Sequence, residues 1–76
     1  MSPASPVVTG KQIAKAATSV GFSLDRQKGS HAVFVRDCDK RRLVIPMHAG
    51  KTIKPKTLAA IVRDMGLTLE EFAALL

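Results

Sequence analysis

The chain has no tryptophan, no tyrosine and one cysteine in its 76 residues. A lone Cys38 excludes an internal disulfide and any Cys-x-x-Cys metal knuckle. The three phenylalanines, Phe22, Phe34 and Phe72, all sit where a core would take them, which argues against RNA binding by base stacking on an aromatic sheet. The longest apolar runs, Leu58–Val62 and Phe72–Leu76, have five residues, against about 20 for a membrane-spanning helix. Neither a glycine-rich phosphate loop nor an HExxH or HxE…PCxxC pattern occurs, so no small-molecule cofactor and no metal site is expected. The opening Met1-Ser2-Pro3-Ala4-Ser5-Pro6 has neither a basic n-region nor an apolar h-region, and the expectation is a cytoplasmic protein with no membrane partner.

Acidic residues are also scarce, six against 12 lysines and arginines, for a net charge of +6. Residues 26–56 hold nine of the bases (Arg26, Lys28, Arg36, Lys40, Arg41, Arg42, Lys51, Lys54, Lys56) and only Asp37 and Asp39 as acids. The basic excess therefore lies in the middle of the chain, as a polyanion-binding surface requires. Hydrophobic residues at 46% exclude a disordered charged tail. So short a chain buries only about 60% of its unfolded surface, so any site is shallow and any partner meets an open face.

Residues 1–8, with Pro3 and Pro6 among small side chains, read as a flexible tail, leaving residues 9–76 as one domain. Thr9-Gly10-Lys11-Gln12 is a capping box, and Ile13, Ala16, Ala17 and Val20 follow at helical spacing up to Gly21. From Phe22 the period becomes two: Phe22, Leu24 and Arg26 alternate with Ser23, Asp25 and Gln27, the pattern of a half-buried strand. Lys28-Gly29-Ser30 is a turn, His31–Arg36 a second strand, Asp37–Lys40 a hairpin tip, and Arg41–Ile45 a third strand closed by Pro46. After a basic loop, Pro55 opens a helix whose stripe is Leu58, Ile61, Val62 and Met65, ending at Gly66. Thr68-Leu69-Glu70-Glu71 caps a short extra C-terminal helix. The order is α-β-β-β-α, an α+β layer pair of a three-stranded antiparallel sheet with helices on one face.

His31 is the most informative residue, because an imidazole beside Lys28 and Arg26 can give or take a proton next to a bound phosphate. A histidine capping a strand edge is the plainer alternative. His48 lies in the basic loop, where bonding to local backbone would explain it equally well. Asp37 and Asp39 could hold a metal, but acids beside Lys40, Arg41 and Arg42 are more simply turn formers. If His31 faces away from the helices, Val33 and Val35 face with it, leaving an apolar strip suited to a partner.

Taken together, Gly21-Phe22, Arg26-Gln27-Lys28-Gly29-Ser30-His31, Val44-Ile45-Pro46-Met47-His48, Ile53-Lys54-Pro55-Lys56-Thr57-Leu58 and Gly66-Leu67-Thr68-Leu69-Glu70-Glu71-Phe72 resemble HicA toxins, over about residues 9–73. The chain departs from that pattern at Ala32 and Lys56. The resemblance implies a double-stranded-RNA-binding-domain-like fold and an endoribonuclease that cleaves mRNA and is held inactive by a HicB antitoxin. It puts the catalytic histidine, within Gly-Ser-His, at His31. Arg26, Lys28, Ser30, His48, Lys51 and Lys54 are the candidate RNA contacts, and His31, Val33 and Val35 the candidate antitoxin interface. Two rival readings are a non-catalytic RNA-binding module of the same fold and a protein-interaction domain with incidental charge.

Overall fold

The computed structural model describes residues 6–76. The elements are α1 (Gly10–Ser19), β1 (Ser23–Lys28), β2 (His31–Arg36), β3 (Arg41–Pro46), α2 (Pro55–Asp64) and α3 (Leu69–Ala73). The sheet is antiparallel in the order β1-β2-β3, and the architecture is double-stranded-RNA-binding-domain-like. Both capping boxes form. Thr9 accepts from the Gln12 amide while the Gln12 side chain accepts from the Thr9 amide, and Thr68 and Glu71 do the same for α3. These bonds satisfy orphan amides of the first turns, and so the helices start where they do.

One core lies between the helices and one sheet face. It is built from Ile13, Ala16 and Ala17 of α1, Phe22, Ala32 and Phe34 of β2, Leu43 and Ile45 of β3, the Leu58, Ile61, Val62 and Met65 stripe, and Phe72. Ala32 fills one of these closely packed places at 1% exposure. Val8 lies within the stretch read as a tail. It is 2% exposed, belongs to the core, and accepts a hydrogen bond from the Ile53 amide. Residues 1–5 of that tail lie outside the described residues.

Gly10 meets a different demand. A Cβ there would collide with the backbone carbonyl oxygen of Pro46, so α1 approaches the end of β3 as closely as it does only because this residue has no side chain.

The first strand is not half-buried. Every residue of β1 is exposed, Leu24 included at 54%. Both long helices pack mainly on β3, at the far edge of the sheet, and β1 extends beyond their cover. The even alternation read from the sequence also breaks. Leu24 pairs with Phe34, but Arg26 pairs with Val33, because a bulge at Asp25 inserts one extra residue. Phe22 still enters the core, ahead of the strand.

Candidate functional site

The bulge determines what surrounds the histidine. In a regular strand Leu24 and Arg26 would share a face; the extra residue turns Arg26 and Lys28 to the face away from the helices. Across the ladder, residues directly opposite share a face with Cβ atoms roughly 4.5–5.5 Å apart. The open face therefore carries three rows: Lys28, His31 and Pro46; Arg26, Val33 and Val44; Ser23, Val35 and Arg42. The turn between β1 and β2 has two residues, with Gly29 at φ 55°, which seats Lys28 beside His31. His31 is exposed.

Val33 and Val35 face outward with His31, but they do not form a bare strip. Val33 is only 8% exposed and Val35 is half-buried, although no helix lies over them. The cross-strand neighbours of the central strand, Arg26, Val44 and Arg42, are what can shield them, since long basic side chains lay their methylenes over apolar neighbours. The exposed apolar residue on this face is Val44, at 48%.

Next to the His31 row runs the loop 47–54, fixed at several points. The Met47 amide donates to the Ser30 carbonyl, Lys51 N–H donates to His48 O at 3.1 Å, Ile53 N–H donates to Val8 O at 2.8 Å, and Thr9 bridges Thr52. Ser30, a candidate RNA contact, thus also ties the turn before His31 to this loop. Two open grooves flank His48. One of about 490 Å³ is bordered by Thr9, Lys11, Met47 and Gly50. The other, about 260 Å³, is lined by Pro46, His48, Lys51, Ile53, Lys54 and Thr57. The structure therefore brings His48, Lys51 and Lys54 together around one hollow, while Arg26 and Lys28 stand with His31 on the sheet.

The nine central bases divide into three sets. Arg36 and Arg41 reach the helix side, where Arg36 donates to Val20 O at 2.8 Å and Met65 O at 3.3 Å, and Arg41 to Asp64 O at 3.2 Å. They satisfy carbonyls at the C-terminal ends of α1 and α2, where positive charge is favoured. The Arg36 guanidinium also lies 4.5 Å from the centre of the Phe22 ring. Arg26 pairs with Asp25 at 3.7 Å, but both groups are more than half exposed, so the pair is worth little. Lys28, Lys40, Arg42, Lys51, Lys54 and Lys56 have no carboxylate partner among the described residues. Arg42 is one of the central bases but not one of the candidate RNA contacts read from the sequence. The alternation of β3, with Leu43 and Ile45 inward, carries the signal that would have found it.

Asp39 is more than a solvated turn former. Its carboxylate accepts from Arg36 at 2.7 and 3.1 Å and from Arg41 Nε at 2.9 Å, so both oxygens are occupied by guanidinium groups. The Arg36 hydrogen bond, helped by the Arg41 amide and the charges of both arginines, lowers the Asp39 pKa from 3.8 to about 2. An unfolded chain therefore takes up this proton before the folded one does. The stabilisation is complete above about pH 4 and disappears as pH falls towards 2. Urea midpoints of wild type and Asp39→Asn, separated at neutral pH, are expected to converge at pH 2; a constant gap would mean that the charge of Asp39 does not contribute.

A small basic α+β domain thus presents a histidine beside cations on the open face of its sheet, groups that can meet a phosphate. The family of the HicA toxin of bacterial toxin–antitoxin systems matches residues 10–67, three quarters of the chain, and the chain belongs to that family. Membership makes it the toxin side of a toxin–antitoxin pair, with an antitoxin as partner. No curated protein matches the chain. No helix among the described residues is long and apolar enough to cross a membrane.

Proposed function

We propose that this HicA family member is a cytoplasmic endoribonuclease that cleaves mRNA through His31 and is neutralised by a HicB antitoxin. The observation that carries the reading is the row Lys28–His31–Pro46: an exposed imidazole with an unpaired lysine directly across the ladder. A scissile phosphate against Lys28 would meet His31 as its nearest proton-transfer group. Arg26, Ser30, His48, Lys51 and Lys54 are the remaining RNA contacts in this reading, with the lysines offsetting charge that develops on the phosphate.

The simplest chemistry uses the nucleophile already on the substrate. The ribose 2′-hydroxyl loses its proton, with His31 as base or its imidazolium assisting, and its oxygen bonds to phosphorus. The bond from phosphorus to the 5′-oxygen breaks, that oxygen takes up a proton, and the products are a 2′,3′-cyclic phosphate and a 5′-hydroxyl end. Purified protein is therefore expected to cut RNA in EDTA and to leave uncut an oligonucleotide with 2′-deoxyribose at the scissile position. Cleavage of that substrate, or activity lost on removing divalent metal, would exclude this mechanism.

HicB would cover the open face bearing His31, Val33 and Val35 and so shield the histidine from RNA. Val35→Glu puts a charge into that contact and is expected to weaken HicB binding by about tenfold or more, measured by calorimetry. Undiminished affinity in the folded variant would put the interface on another face.

A further inference from the structure

We propose that the groove of about 260 Å³ lined by Pro46, His48, Lys51, Ile53, Lys54 and Thr57 is a subsite for one unpaired RNA nucleotide, the one next to the phosphodiester at His31. This rests on the ribonuclease reading. Pro46 supplies the connection: it lies directly across the ladder from His31 and also lines the groove, so a strand whose phosphate sits at His31 continues into the hollow. At about 260 Å³ the hollow is of the order of one nucleotide in size. Its rim offers two lysines that have no carboxylate partner among the described residues, and its lining includes no acid, which suits the phosphates of a strand.

Inside, the chemistry is mixed in the way a base requires. Pro46 and Ile53, both half-buried, give apolar surface for a base face, while the hydroxyls of Thr52 and Thr57 and the His48 imidazole can hydrogen-bond its edge. No aromatic residue lines the hollow, so discrimination comes from edge hydrogen bonds and fit instead of stacking. In a paired A-form helix the Watson–Crick edges are already engaged and the deep major groove is closed to side chains, so a base that enters this hollow is unpaired. The groove is held ready. Backbone bonds from Met47 to Ser30 and from Ile53 to Val8 fix both ends of the loop that forms it.

The test uses the full-length His31→Ala protein, which is expected to bind without cutting, and a labelled single-stranded RNA hexamer as probe. Amide resonances of Ile53 and Thr57 are expected to shift on titration, and the same hexamer as a duplex is expected to compete poorly. Lys51→Ala with Lys54→Ala should lower the slope of log affinity against log salt by about 1.4, two single-strand phosphate contacts. In the active protein, Thr57→Val should change the relative cleavage rates of substrates differing only in the base beside the cut by about three- to tenfold, as one lost hydrogen bond does. Equal binding of the duplex, or silent groove resonances while RNA binds elsewhere, overturns the proposal. Failure of the underlying reading looks different: wild-type protein would fill the groove with RNA and cut none of it.

Discussion

His31→Ala is expected to reduce RNA cleavage by about 10²–10⁴-fold, the range that one general acid–base group supplies. Affinity for single-stranded RNA, measured by fluorescence anisotropy, should change little. The two effects separate because the groups that would hold phosphates are distinct from the group that moves the proton. Arg26 and Lys28 flank His31 on the open face, and Lys51 and Lys54 border the groove beyond Pro46. Loss of one imidazole leaves all four cations in place. Wild-type protein that binds RNA without cutting it would make the chain a non-catalytic RNA-binding module. RNA binding that is weak and nearly independent of salt would instead favour a protein-interaction domain, because phosphate contacts produce a steep salt slope. A variant that keeps full cleavage would place the chemistry elsewhere, with His48 the next imidazole to remove.

Leu58→Ala is expected to cost about 2–5 kcal/mol, the largest stability loss among these substitutions. Leu58 is fully buried in the first turns of α2 and belongs to the cluster that joins both helices to β2 and β3. A 76-residue domain has a total stability of roughly 4–11 kcal/mol at typical values per residue, so this one truncation removes a large part of it. Thr9→Ala, which removes a cap but no core volume, should cost about 1 kcal/mol. Urea denaturation followed by circular dichroism measures both. If the Leu58 variant proved the milder of the two, α2 would not be the core-facing helix that its burial indicates.

The features legible in the sequence are those whose physics is local. The capping boxes at Thr9 and Thr68 join residues three apart, and both form as read. The helical stripe of α2 follows from side-chain period, as does the sharing of one face by His31, Val33 and Val35, while the bounds of β2 follow from a β-favouring run between two turns. The family resemblance is carried by order and spacing, and residues 10–67 match the HicA toxin family.

What tertiary structure decided depends on partners distant in the chain. Arg36 and Arg41 count as free charge in the sequence, yet they are committed to carbonyls 16 to 29 residues away in the chain. Gly10 reads as one residue of a capping box until Pro46 arrives against it, and Val8 reads as tail until Ile53 bonds to it. The bulge at Asp25 is visible only in the pairing of β1 with β2, and it alone brings Arg26 and Lys28 to the side of His31. Local periodicity determines which way a side chain points along its own element. Which groups from other elements meet it depends on register and packing, and these are settled only when the sheet closes and the helices come to rest on β3.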